Sequence, residues 1–270
     1  MLDEERAGLE AIAGQVAEIS AAADRIARAF LMGGRLFYIG SGTSGRLGIL
    51  DAVECPPTFG VEPDLIQGIM AGGRGAVFQA VEHAEDAFDG GREAITAIDP
   101  QSIDVLVGLT ASGSTPFVLG AITQARSYSM VTIGITCNRH TPLEKLTDIC
   151  IAPDVGPEVL AGSTRLKSGT AQKIILNMLS TAAMIRTGHV YDNLMVDMRP
   201  TNEKLVQRAI SQIMTVTGCP RKTAETALKD GNNHVKTAIL MVTKNIPVKE
   251  ARERLGRTGG FLRQAMADKD

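Results

Sequence analysis

Apolar positions along the chain fall into two kinds of pattern. Leu9, Ile12, Val16, Ile19, Ala23, Ile26 and Phe30 recur at spacings of three and four, which predicts one helix over 3–31, stopped by Gly33 and Gly34. Short, nearly continuous apolar runs follow at 35–40 (RLFYIG), 64–70 (DLIQGIM), 104–110 (DVLVGLT), 131–136 (VTIGIT) and 148–152 (DICIA). Runs of this length, apolar on both faces, read as strands of a parallel sheet covered on each side. Between them, helical periodicity predicts helices over 45–54, 75–97 and 116–127, with a strongly apolar helix over 168–187 after the last strand. Strand and helix alternate, so the expected fold is α/β: a doubly wound, mainly parallel five-stranded sheet with ligand loops at the carboxyl ends of its strands.

From about residue 203 no strand pattern remains. Short helical stretches are separated by Gly218-Cys219-Pro220, by Asp230-Gly231-Asn232-Asn233, by Pro247 and by Gly259-Gly260. The expected division is an α/β domain over 1–202 and a small helical domain over 203–270.

Composition narrows the function. The formal net charge is -2 and aromatic residues make up 4% of the chain, with no Trp. The near-neutral charge gives no basic footprint for nucleic acid, and few stacking platforms are left for it. No apolar run is long enough to span a membrane, and the amino terminus lacks a secretory pattern. Cys55, Cys137, Cys150 and Cys219 follow no metal or redox spacing and read as reduced thiols of a cytoplasmic protein. The four histidines are scattered, so no metal site is predicted.

Two loops carry candidate chemistry: 40–45 (GSGTSG) and 110–115 (TASGST). Each follows a predicted strand and precedes a helix. Small residues let the backbone approach a ligand, hydroxyls donate hydrogen bonds, and a helix N-terminus favours an anion. The first loop formally fits GxGxxG. However, the strand that follows it ends without the acidic residue that would hold a ribose, so a monophosphate on a small ligand is the better reading. Among the carboxylates, Glu54 lies between apolar neighbours and just before Pro56 and Pro57. Glu82 and Glu85 share one face of the predicted 75–97 helix, which periodicity alone reads as a solvated acidic face. A pair of carboxyl groups near a phosphate pocket would supply one acid and one base. A third polar stretch, 156–173, carries Glu158, Ser163, Thr164, Arg165 and Lys167. It reads either as a capped helix start, with Thr164 or Ser168 as N-cap, or as a further wall of the pocket.

Several runs together resemble the N-acetylmuramic acid 6-phosphate etherases, members of the phosphosugar-binding sugar isomerase (SIS) fold. They are 40–61 (GSGTSGRLGILDAVECPPTFGV), 81–86 (VEHAED), 111–118 (ASGSTPFV), 155–181 (VGPEVLAGSTRLKSGTAQKIILNMLST) and 193–205 (NLMVDMRPTNEKL). Glucokinase regulatory proteins share part of these motifs. The resemblance implies a flavodoxin-like sheet and a lyase of amino-sugar catabolism that takes N-acetylmuramic acid 6-phosphate without a metal or organic cofactor. It also implies a homodimer with sites near the interface. It maps the family's two important glutamates onto Glu54, as acid, and Glu85, as base. Phosphosugar binding maps onto Gly42, Thr43, Ser44, Ser112, Gly113, Ser114 and Thr115, joined by Glu158, Ser163 and Lys167. Ser114 stands where the family commonly has Arg, and the family's Thr-Glu and Asn pattern ahead of the first helix is not found. The same loops would also serve a phosphosugar-sensing regulator without turnover, or a sugar-phosphate isomerase.

Overall fold

A computed structural model describes residues 1–268 and contains a five-stranded sheet in the order β2-β1-β3-β4-β5, with every neighbouring pair parallel. The strands are β1 (Leu36–Gly40), β2 (Ile66–Met70), β3 (Val105–Leu109), β4 (Val131–Ile135) and β5 (Ile149–Ile151), each within a run predicted from sequence. β1 and β3 are buried along their whole length, as expected of apolar strands covered on both faces. This order is the flavodoxin-like one, in which the chain changes winding direction between β1 and β3. Gly40 pairs with Leu109, so the two strands end level and their loops leave side by side at that switch point. At the amino ends of the same two strands the buried Asp104 carboxylate takes the backbone N–H of Arg35 and, at 2.7 Å, its guanidinium.

Helices α1 (Leu2–Ala13) and α2 (Val16–Leu31) replace the single helix expected over 3–31. Gly14 is a poor helix former, and the break at Gln15 frees its side-chain oxygen to accept the Ala152 N–H at the end of β5. Helix α3 (Gly42–Phe59) runs further than predicted and includes Pro56 and Pro57. The prolines bring no donor of their own, yet the Pro56 carbonyl still accepts from Gly60.

The predicted helix over 75–97 does not form. In its place are two short 3-10 turns, Arg74–Val77 and Ala84–Asp86, and then α4 (Phe88–Thr96). Arg46 explains the difference. Its guanidinium takes the carbonyls of Ala76 and Val77, which a continuous helix would need for its own ladder. His83 then adopts a left-handed conformation, which ends any helix there. Helix α4 packs tightly on α5 (Pro116–Ser127). A Cβ on Gly91 would sit 1.9 Å from the Phe117 carbonyl oxygen, and one on Gly120 would sit 2.0 Å from that of Phe88. Phe117, Val118, Ala121 and Ile122 of α5 and Ile95 of α4 bury against Phe37, Ile39 and Leu106 of the sheet.

After α6 (Pro142–Leu146), the long α7 (Lys167–Arg186) follows the last strand. The remainder is helical: α8 (Glu203–Thr217), α9 (Arg221–Asp230), α10 (Val235–Lys244), α11 (Val248–Arg257) and α12 (Leu262–Ala267). Two compact units result. One comprises Met1–Glu54 and Pro63–Ala183; the other takes Cys55–Glu62 and the chain from Met184 onward. The second unit has its own core, including Ile210, Ile213, Leu228, Ile239, Leu240 and Leu255. Asn202 caps α8 by accepting the Leu205 N–H, and Gly218 ends that helix with φ 70.

Candidate active site

The first loop turns sharply from β1 into α3. A Cβ on Gly40 would lie 2.8 Å from the Gly45 nitrogen, and one on Gly45 would lie 2.7 Å from the Gly40 oxygen, so both positions require glycine. Gly42 opens the helix at φ 51. Ser44 Oγ donates to Gln172 Oε1 on α7 at 2.8 Å. Ser41 Oγ donates to Glu85 Oε2 at 3.3 Å, which joins the loop to the 84–86 turn. Thr43 is half-buried, its Cγ2 facing Gly169 of α7.

The second loop is built differently. Thr110 Oγ1 lies 2.7 Å from Thr115 Oγ1 and 3.1 Å from Ser112 Oγ. Ser112 Oγ also accepts from the Ser114 hydroxyl at 3.1 Å and from the Ser114 N–H at 3.3 Å. Four hydroxyls thus bond to one another around the N-terminus of α5, where Thr115 is the N-cap and Pro116 the first helical residue. Gly113 has φ 70, and a Cβ there would sit 2.4 Å from Thr141 Cβ.

The third stretch resolves as a helix start, with a cap from further back than either residue expected. Glu158, not Thr164 or Ser168, accepts the N–H groups of Lys167 and Ser168 at 3.0 and 2.9 Å. A carboxylate at a helix N-terminus satisfies orphan donors and complements the dipole. Lys167 is buried, and its Nζ pairs with Glu4 Oε2 of α1 at 2.5 Å. The ammonium holds the Glu4 carboxyl below the usual carboxylate range. Ser163 is half-buried in the preceding turn.

The two glutamates lie in different cavities of the chain. Glu85 lines a cavity of about 180 Å³ with Ser41, Gly42, Arg46, Glu82 and His83. Glu54, on α3, lines one of about 240 Å³ with Leu50, Asp51, Lys173 and Asn177. Both carboxylates are exposed. One turn before Glu54, Asp51 is buried and accepts from Tyr38 Oη, Asn177 Nδ2 and Ser180 Oγ, fixing α3 to β1 and α7. Sequence reasoning had not singled out Ser41, Arg46, Asp51 or Gln172. Ser41 lies inside the hydroxyl-rich run itself; the others gain their roles from partners far along the chain.

Among the described residues the cysteines form no disulfide. Burial pushes the thiols of Cys137 and Cys150 up to about 11. Among the described residues no group of three or more His, Cys, Asp or Glu side chains is arranged to hold a metal ion.

Known proteins share this fold. Residues 18–126 match the glucokinase regulatory protein N-terminal SIS domain, and residues 78–182 match the SIS domain. Phosphoheptose isomerases from Neisseria gonorrhoeae and Francisella tularensis have the same fold. They align with TM-scores of 0.53 and 0.51 at 19% and 18% identity, over 67% of this chain and 93% and 92% of theirs. Similarity in sequence is far higher to N-acetylmuramic acid 6-phosphate etherase 2 of Vibrio cholerae serotype O1, 51% identical over 96% of this chain and 84% of that protein. The N-acetylmuramic acid 6-phosphate etherases of Aeromonas hydrophila and Mesorhizobium japonicum are 52% and 49% identical, over 94% and 98% of this chain and 85% and 87% of theirs. With about half of all positions identical along nearly the whole chain, the protein belongs to the N-acetylmuramic acid 6-phosphate etherase family.

Proposed function

We propose that the protein cleaves the D-lactyl ether of N-acetylmuramic acid 6-phosphate, giving N-acetylglucosamine 6-phosphate and D-lactate. One water is consumed overall. In the ring-opened sugar the C1 aldehyde acidifies the C2 proton. A base removes that proton, the C3–O bond breaks with loss of lactate, and water adds across the resulting double bond. An alkoxide is a poor leaving group unless it is protonated, and a carbon acid needs a nearby base, so two carboxyl groups suit the task. We assign Glu85 as the base at C2 and Glu54 as the acid on the ether oxygen.

The observation that carries this reading is the Ser41–Glu85 hydrogen bond, which holds a carboxylate beside a phosphate-type loop at the sheet's switch point. Gly42, Thr43 and Ser44 of the first loop and Ser112, Gly113, Ser114 and Thr115 of the second are assigned to the sugar phosphate. Glu158 and Lys167 serve the site by shaping the start of α7, with Ser163 in the adjoining turn.

The proposal includes a homodimer. Apolar surface lies open beside each glutamate: Leu50 and Val53 are 47% and 59% exposed next to Glu54, and Val81, 47% exposed, lines the cavity of Glu85. Surface of this kind is what a second copy covers. Among the described residues no helix is long and apolar enough to cross a membrane. The proposal places the enzyme in the cytoplasm, where thiols stay reduced.

Incubation with N-acetylmuramic acid 6-phosphate and assay of D-lactate tests the activity, and light scattering tests the dimer. Lactate release is expected. Phosphosugar binding without turnover would point to a regulator, and ketose formation without lactate to an isomerase; either would overturn the reading.

A further inference from the structure

The second compact unit encloses a cavity of about 610 Å³, larger than either cavity that holds a glutamate. All its lining residues belong to that unit. Its polar centre is Asp197, whose carboxylate faces three nitrogens. Lys236 Nζ bonds to Oδ2, His189 Nδ1 lies 2.8 Å from the same oxygen but out of line for a hydrogen bond, and His234 Nε2 lies 3.7 Å from Oδ1. His234 Nδ1 accepts the Thr237 N–H as the N-cap of α10, so the ring's proton sits on Nε2, toward Asp197. Burial lowers the pKa of His234, which favours the neutral ring.

Lys236 is 4% exposed as a residue, and Asp197 is the one acceptor of its ammonium among the described residues. An ammonium has three donors, so two remain for whatever enters the cavity. Gly260 keeps that approach open. Its φ is +83, and the one atom within 4 Å of a Cβ built there is Lys236 Nζ itself, so a side chain would cover the ammonium. Asp197 is held in turn by Gly60, where a Cβ would lie 2.0 Å from the Asp197 carbonyl oxygen. The wall carries Lys236 beside the Asp197 carboxylate, Arg199, whose guanidinium pairs with Glu62, the amides of Asn232 and Asn233 and the apolar Phe59 and Leu255. Mixed apolar walls, a few convergent polar groups and this volume are the marks of a small-molecule site.

We propose that this cavity binds a small hydroxylated anion whose phosphate or carboxylate oxygen completes the hydrogen bonding of Lys236. The test follows the ring resonances of His189 and His234 by NMR in the full chain, titrated separately with N-acetylglucosamine 6-phosphate, D-lactate and inorganic phosphate. At least one of these is expected to shift both rings saturably. A response to both phosphates assigns a phosphate site, and a response to D-lactate alone assigns a carboxylate site. Lys236→Met with Asp197→Asn removes the ammonium without leaving a bare carboxylate, and is expected to weaken the titration at least about tenfold, as loss of one charged hydrogen bond does. Ser112→Ala with Thr115→Val, altered in the other unit, should leave the titration intact. The proposal is overturned if no ligand shifts both rings, if the double variant at 197 and 236 titrates like the parent, or if the loop variant abolishes the response.

Discussion

The two hydroxyl loops look alike in sequence and behave differently in the fold. In the first, the hydroxyls of Ser41 and Ser44 bond outward, to Glu85 and Gln172. In the second, Thr110, Ser112, Ser114 and Thr115 bond inward, to one another. Outward bonds make a loop part of the scaffold, because breaking them strands a distant partner. Inward bonds leave a loop self-sufficient, with hydroxyls that can turn to an incoming anion and later turn back. Under the proposed assignment the first loop would tie phosphate recognition to the chemistry, and the second would supply donors that the scaffold does not need.

The sharpest way to break this comparison is at the carboxylates. Glu85→Gln and Glu54→Gln are each expected to lower D-lactate release by about 10² to 10⁴-fold, the usual contribution of general acid–base groups, while phosphosugar binding persists. Full activity in either variant would remove that residue from the chemistry. Next come the second-loop hydroxyls. Ser112→Ala should raise KM roughly 10-fold or more, since hydrogen bonds to charged groups contribute about 1.5–3 kcal/mol. Its melting temperature should barely change, as its partners are neighbours that can re-pair. Ser44→Ala should raise KM as well, and should also lower stability. Gln172 is buried, and its amide nitrogen already lacks a partner, so losing Ser44 orphans the whole group at a cost of about 1–3 kcal/mol in urea denaturation. If Ser44→Ala spared stability while Ser112→Ala lowered it, the two loops would have been assigned the wrong way round.

The smallest effect is on pH dependence. Folding raises the thiol pKa values of Cys137 and Cys150 from 9.0 to about 11, so the folded state favours their protonated forms. Stability from these thiols is full below pH 9 and declines from there to about pH 11, as the unfolded chain ionises first. At pH 8 iodoacetamide should modify both far more slowly in the native protein than in urea.

Much of the α/β fold was legible because its signals are local. Continuous apolar runs such as VLVGL at Val105–Leu109 admit few readings other than a buried parallel strand. The helix expected over 75–97 failed for a reason no periodicity count contains. Arg46, about thirty residues away, claims the carbonyls that the helix would have used. That failure matters for the site, since the turn it leaves brings Glu85 to Ser41. The cap of α7 was misread likewise, because Glu158 reaches Lys167 across a loop whose path the sequence does not reveal. Glu54 and Glu85 were legible as candidates but not as occupants of separate cavities. The Asp197 cluster was not legible at all, since His189, His234 and Lys236 meet only when α10 folds back.

The inward bonding of the second loop bears finally on how the enzyme lets go. The phosphate survives the proposed reaction, so grip on it counts equally toward substrate and product and cannot by itself favour the transition state. A loop that bound phosphate at the end of a large energetic drop would slow turnover by retaining N-acetylglucosamine 6-phosphate. One whose hydroxyls close upon each other as the product departs faces no stranded donors, so the exit step carries little penalty and the site resets for the next molecule.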